Sequence, residues 1–308
     1  MRKQLIFDMS SPYRDNFRIY SYSFGSEEKT VAVVGPMRGD EVQQQFVCSQ
    51  LIKQLTELEA DGEIKEMGIM VIPSCNPFSM NVRHRFWSMD STDINRMFPG
   101  YDKGETTQRI ADVVFRQIKD FEYGIQMASF YISGDFVPHV RMLKTGYEDV
   151  KTAQLFGFPY ITVRTPLPFD TTLLNYNWQV WNTKAFSVYA GETDRVNMSN
   201  CKQTVDAILR FLHRIGVLHH RVSRNAYESQ LLDEEELINV RAGQAGIINR
   251  LKKPGDEVAK GELLAEIIDP YEGNILQRLI SPVHGMVFFS VNHPLTLQHS
   301  IIYRIIKE

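Results

Sequence analysis

The chain has little of what marks several protein classes. It carries only 3 cysteines (Cys48, Cys75 and Cys201) and no Cys-x-x-Cys pair, so neither a disulfide framework nor a thiolate zinc site is indicated. No apolar run approaches the roughly 20 residues a membrane span requires. The opening stretch, Met1-Arg-Lys-Gln-Leu-Ile-Phe-Asp8, meets a charge before a signal-peptide core is complete, and no secretory leader is expected. Charge of neither sign dominates: 34 Lys+Arg face 37 Asp+Glu, for a net −3. There is thus no basic footprint for nucleic acid. The expectation is a soluble, cytoplasmic protein with neither nucleic acid nor a membrane as its partner. At 308 residues, 43 % of them hydrophobic, the chain is long enough for two domains.

What is present has a rhythm. Val31-Ala-Val-Val34, Gly68-Ile-Met-Val-Ile72 and Ala185-Phe-Ser-Val188 are short apolar runs, rich in β-branched residues and closed by glycine or proline. They predict buried strands. Between and after them, 41–58, 106–119, 147–156 and 200–215 space their apolar residues as helices do. Thr106 and Asn200 are the expected N-caps, Gly157 and Gly216 the expected stops. This alternation predicts an α/β domain over residues 1–220, a sheet with helices on both faces. Ligands of such sheets sit beyond the carboxyl ends of the strands.

Residues 221–236 are polar and are expected to be a connector. From 237 to 308 the pattern becomes short strands and turns, predicting a small all-β barrel, and it repeats. Gly246-Ile-Ile248 recurs as Gly285-Met-Val287, and at the same offset of 39 residues Val258 meets Leu297, Leu263 meets Ile302 and Ile267 meets Ile306.

Two clusters carry chemistry-bearing residues. Gly35-Pro-Met-Arg38-Gly-Asp-Glu41 follows a predicted strand and opens a helix; a plain strand-to-helix turn has the same signature, and the Arg-Gly-Asp tripeptide in it reads as chance. The second cluster is a long polar loop with Asn76-Pro77, Arg83-His84-Arg85 and Asp93-Ile-Asn95-Arg96-Met-Phe-Pro-Gly100. Loops of this length inside a compact domain are commonly functional. Arg85 and Arg96 have the planar multi-donor geometry for a carboxylate. Asn95 adds a neutral donor for a carbonyl, and Asp93 suits holding an arginine in place. Solvated structural ion pairs are the plainer account of the same residues.

Together these marks resemble the succinylglutamate desuccinylase/aspartoacylase family, a branch of the zinc-carboxypeptidase-like fold. The Asp-x-Asn-Arg-x-Phe-Pro-Gly stretch at 93–100 is the most specific of them. The resemblance covers roughly 15–215. It implies amide hydrolysis of N-acylated amino acids or related small molecules, with one zinc on a His, a Glu and a second His, and a glutamate as general base. It also implies that Arg85, Asp93, Asn95 and Arg96 hold the substrate. The C-terminal segment is similar to lipoyl/biotinyl-like barrels, through 253–261 and 281–285. Its central hairpin, Asp269-Pro-Tyr-Glu-Gly-Asn274, lacks the lysine that carriers modify. An assembly or lid role is expected instead.

The chain departs from the family at its reactive centre. Glu41 stands at the second ligand position, but Arg38 stands at the first and Gln126 at the third, while Tyr189 takes the place of the general base. Zinc in a hydrolytic site needs three N/O protein ligands and an open position; Glu41 beside a cationic Arg38 does not supply them. Arg38 is expected to pair with Glu41, and His139 is the nearest substitute ligand. Three readings follow. In the first, the chain binds a small carboxylate ligand without hydrolysing it, zinc being doubtful. In the second, it is an amidohydrolase with a rebuilt metal site and Glu41 as base. In the third, it is an assembly subunit acting through its barrel, which also allows a homo-oligomer.

Overall fold

A computed structural model describes residues 1–12, 15–219 and 226–308. The expected domain limit at 220 and the first part of the 221–236 connector lie outside the described residues. The chain divides into two compact units. Unit 1 comprises 1–128, 138–190 and 194–232; unit 2 comprises 129–137, 191–193 and 233–308.

Unit 1 is built on a nine-stranded mixed sheet. Its strands are β1 (Arg2–Met9), β2 (Phe17–Gly25), β3 (Val31–Val34), β4 (Gly68–Ile72), β5 (Tyr123–Ala128), β7 (His139–Leu143), β8 (Tyr160–Arg164), β9 (Lys184–Tyr189) and β10 (Gln230–Asp233), with β6 (Gly134–Phe136) left to unit 2. The order is β1-β2-β4-β3-β5-β9-β7-β8-β10. The central strands β4, β3, β5 and β9 run parallel, so their carboxyl ends open on one edge. β7 runs antiparallel to β9 and sets His139 opposite Tyr189.

The pleat explains the layering. Val31 and Val33 face one helix layer, with Val47, Cys48, Leu51, Leu55 and Leu58 of α1 (Val42–Ala60) packed there. α2 (Pro77–Asn81) follows β4 directly. Ala32 and Val34 face the other layer, with Ile110, Ala111, Val114, Phe115 and Ile118 of α3 (Thr106–Ile118). α4 (Val150–Ala153) is short, α5 (Leu174–Val180) joins the α3 layer through Leu174 and Trp178, and α6 (Met198–Arg214) joins the α1 layer. Period-two alternation of a strand between two apolar layers is what makes its run continuously hydrophobic. Truncating Leu51, which is wholly buried, is expected to cost about 2–5 kcal/mol.

Three local expectations need correction. The helix expected to be capped by Thr106 starts at that residue, with Glu105 as its N-cap in extended conformation and the Gln108 side chain accepting from the Glu105 N–H at 3.1 Å. α6 is capped by Asn197, whose side chain accepts from the Asn200 N–H at 3.1 Å, rather than by Asn200 itself. The helix expected over 147–156 is a single α turn capped by Asp149, continued as a 3-10 turn over Gln154–Phe156. The expected stops are present: Gly157 and Gly216 take φ of 69° and 88°, the left-handed conformation that ends a helix. Gln230–Asp233, within the stretch expected as connector, is an edge strand of the main sheet.

Unit 2 is a small barrel-like domain of two antiparallel sheets. Its strands are β11 (Ile238–Arg241), β12 (Gly246–Arg250), β13 (Glu257–Val258), β14 (Leu263–Ile268), β15 (Ile275–Ile280), β16 (Gly285–Val291), β17 (Leu295–Thr296) and β18 (Ile301–Lys307). One sheet runs β11-β18-β16-β13 and adds β6 on β16; the other runs β15-β14-β12-β17. The internal repeat is real but slips. Gly246 and Gly285 open equivalent strands 39 residues apart. β14 and β18, however, start at Leu263 and Ile301 and match in burial only at an offset of 38. Buried Val258 therefore corresponds to Thr296, and Leu297 is 75 % exposed. One residue is missing from the second copy's first turn, so the apolar matches at 39 beyond it are coincidental.

Candidate functional site

The site is assembled from the turns that leave the parallel strands. After β3, the turn 35–41 is held against the chain that follows β4. Cys75 N–H donates to the Pro36 carbonyl at 2.9 Å, Asn76 Nδ2 to the Met37 carbonyl at 3.2 Å, and Gly39 N–H to the Arg85 carbonyl at 2.9 Å. Gly39 is required by closeness: a Cβ there would lie 2.3 Å from the His84 carbonyl oxygen and 2.4 Å from the Ser79 carbonyl carbon. Asn76 also caps α2, accepting from the Ser79 N–H at 3.2 Å. The long polar loop expected to be functional is, in this part, a structured cradle.

Inside that cradle three charged side chains meet. Arg38 Nη2 donates to Asp93 Oδ2 at 2.8 Å, its Nε lies 3.3 Å from both Asp93 oxygens, and its Nη1 lies 3.4 Å from Glu41 Oε1. The side chains of Arg38, Glu41 and Asp93 are 4 %, 3 % and 7 % exposed. The second Glu41 oxygen, Oε2, accepts from the Met37 and Arg38 N–H groups, each at 3.1 Å. Burial alone weakens the Arg38 charge, but the facing Asp93 and Glu41 carboxylates outweigh it and hold the guanidinium above its ordinary value. The expected Arg38–Glu41 pairing is present, and Asp93 is its stronger partner.

The remaining candidates are distributed around this centre. Arg96 Nε lies 3.8 Å from Asp93 Oδ2. Its Nη1 donates to the Phe169 carbonyl at 3.3 Å, and its guanidinium sits 5.1 Å from the Phe169 ring centre. Asn95 accepts from Gln126 Nε2 at 2.8 Å, joining the 93–96 turn to the end of β5. Arg85 is engaged by Asp40 at 2.6 Å. Tyr189, at the end of β9, accepts from Arg141 Nη1 at 2.9 Å and stacks on His139 with ring centres 4.5 Å apart. His139 is fully buried. Arg141 is the residue that the sequence reading passed over. Its only signal is an arginine inside the otherwise apolar run of β7, which became informative once β7 was paired to β9. Among the described residues no group of three or more His, Cys, Asp or Glu is arranged to hold a metal ion, and no helix is long and apolar enough to cross a membrane.

A mixed sheet with this cluster at its parallel strand ends defines the class as an α/β protein, accompanied by a second, antiparallel β unit. The succinylglutamate desuccinylase/aspartoacylase catalytic domain matches residues 27–213, and the chain belongs to that family. Solved structures agree over nearly the whole length. A succinylglutamate desuccinylase/aspartoacylase from Rhodobacter sphaeroides superposes with a TM-score of 0.80 at 18 % identity, covering 99 % of this chain and 95 % of that one. The product-bound ectoine utilization protein EutE (DoeB) from Ruegeria pomeroyi gives 0.79 at 17 %, covering 96 % and 90 %. A succinylglutamate desuccinylase from Silicibacter sp. TM1040 gives 0.80 at 16 %, covering 94 % and 89 %. At these identities the likeness establishes the fold. No curated protein matches the sequence.

Proposed function

We propose that the chain binds a small carboxylate-bearing molecule and does not hydrolyse it by the zinc mechanism of its family. The observation that carries this reading is the Arg38 guanidinium buried between Glu41 and Asp93. A divalent cation requires deprotonated N/O ligands with free lone pairs. Here Glu41 Oε2 already accepts two backbone N–H groups, and Oε1 faces a permanent cation, Arg38 Nη1, at 3.4 Å. Gln126 is an amide committed to Asn95, a poor zinc donor beside imidazole. The residues present do not fit the metal.

The chain's own residues then act as a recognition surface. Arg96, resting on Asp93 and Phe169, supplies the cation for the ligand's carboxylate. Asn95, held by Gln126, directs its amide N–H toward a carbonyl. Arg85 is turned by Asp40 and completes the loop that carries both. Asp93 orients Arg38 and Arg96 and does not face the ligand. The lipoyl/biotinyl likeness of unit 2, whose hairpin Asp269–Asn274 is a tight turn closed by Asp269 N–H to the Asn274 carbonyl at 2.8 Å, belongs to the same proposal as an assembly module.

Elemental analysis of the untagged full-length protein, purified without chelators, tests the first half; zinc well below stoichiometric is expected. About one zinc per chain would overturn the reading and return the chain to the hydrolases, with Glu41 as base. Converting both altered positions, Arg38→His with Gln126→His, is expected to raise zinc towards one per chain. The second half is tested by thermal shift against a panel of N-acyl amino acids. At least one is expected to stabilise the wild type, and Arg96→Ala to abolish the shift. A panel that stabilises neither protein would remove the binding role.

A further inference from the structure

The first turn of α1 touches the ends of two strands that carry site residues, β5 and β9. Glu41, immediately before the helix, holds Arg38. Gln43 and Gln44, its second and third residues, are wholly buried amides, an expensive placement unless their hydrogen bonds are used. Gln44 Nε2 donates to the carbonyl of Ala128 at 3.2 Å. β3 ends opposite Gln126, so Ala128 projects two residues past its neighbour on that side of the sheet. Gln43 Nε2 donates to the carbonyls of Ala190 and Asn197, both at 3.1 Å, and its Oε1 accepts from the Asn197 N–H at 2.9 Å. Ala190 is the residue directly after Tyr189, and Asn197 is the N-cap of α6.

We infer that Gln43 and Gln44 are positioning residues for the pocket. Gln43 fixes the end of β9 and with it Tyr189; Gln44 fixes the end of β5 and with it Gln126. Both are referred to the same turn that anchors Arg38 through Glu41. This rests on the reading that these strand ends form the ligand pocket, but each glutamine's action on its own strand is independent of any ligand. Neither amide is expected to touch the bound molecule. The arrangement assigns one amide to each strand end, so loss of either should act most on its own end, although Ala128 is the register partner of Tyr189. Generic loosening of the core would act on both ends together.

The test uses the full-length protein without ligand. Ring ¹³C-labelled tyrosine reports Tyr189, assigned by Tyr189→Phe, and the ¹⁵N side-chain amide of Gln126 reports the other strand end. In Gln43→Met, the Tyr189 signal is expected to move and broaden while the Gln126 amide pair stays within its linewidth. In Gln44→Met the larger movement is expected at the Gln126 amide pair and a smaller one at Tyr189, which is paired to Ala128. If a methionine variant fails to fold, Gln43→Asn and Gln44→Asn keep the amide but draw it back by one methylene, and the same crossed pattern is expected. Signals that move together in every variant, or do not move at all, would overturn the inference. Failure of the carboxylate panel above, with the crossed pattern intact, would overturn the binding role alone.

Discussion

The most deeply buried ion pair of unit 1 differs from those of unit 2 and from unit 1's own half-wet pair, Arg164 with Asp170. In unit 1 the cation itself is interior: Arg38 is sealed with Glu41 and Asp93. In unit 2 the buried acids Asp135 and Glu234 pair with arginines that keep a foot in water, Arg250 at 3.5 Å and Arg304 at 3.6 Å, 29 % and 24 % exposed. Half-wet pairs are cheap to build and cheap to lose, whereas a sealed one is costly on both counts. In unit 1 that costly arrangement falls at the carboxyl ends of the parallel strands.

The contrast can be broken by removing the cations. All three tryptophans, Trp87, Trp178 and Trp181, fall in unit 1, so intrinsic fluorescence follows that unit while circular dichroism follows both. Arg38→Met strands two buried carboxylates and is expected to cost about 3–5 kcal/mol. It should lower the fluorescence-detected melting temperature by roughly 6–20 °C. A loss under about 1 kcal/mol would mean that the cluster is no more sealed than those of unit 2.

Alkaline pH sharpens the contrast next. Burial pushes the Cys201 thiol from its ordinary 9.0 to about 11, and burial with the nearby Glu41 charge pushes Cys75 to about 12. In unit 2, burial pushes Tyr303 from 10.0 to about 12. A pKa raised by folding gives stability that is fully present below the unfolded value and is lost as pH climbs through the folded one. Unit 1 should therefore begin to weaken near pH 9 and unit 2 about one pH unit later. Melting curves across pH 8–11 check this, and Cys201→Ala should flatten the unit 1 curve. The smallest effect is Arg250→Met, at about 1 kcal/mol by chemical denaturation, since it gives up a half-wet pair and one bond to the Val291 carbonyl.

Much of this architecture was readable before any coordinates. Val31–Val34 and Gly68–Ile72 are strands at the very bounds their apolar runs suggested, because strands buried on both faces leave no ambiguity of period. The edge strand β1 left no such trace: its residues 2–5 are all exposed, and an exposed edge is under no pressure to alternate. β10 hid in a polar stretch for the same reason. Around the site, the pairing of Arg38 with Glu41, three residues on in the same turn, was legible from local sequence. The preference of Arg38 for Asp93, 55 residues away, could not be read from local sequence. Nor could the roles of Gln43 and Gln44, which look like ordinary helix surface until the two strand ends they meet are known.

Unit 2 is drawn from three separated stretches of chain, and this has a consequence for how the protein is made. β6 at Gly134–Phe136 has its strand partner in β16, at Gly285–Val291. That partner is synthesised roughly 150 residues later, on the order of ten to thirty seconds at ordinary elongation rates. Throughout that interval Gly134–Phe136 lacks its strand partner, and only Gly191 and Thr193, made some 55 residues after it, can meet the Phe136 N–H and the Gly134 carbonyl. It is open to other nascent chains in the way any uncovered strand edge is. Slowing translation between β6 and β16 should therefore lower soluble yield, and speeding it should raise it.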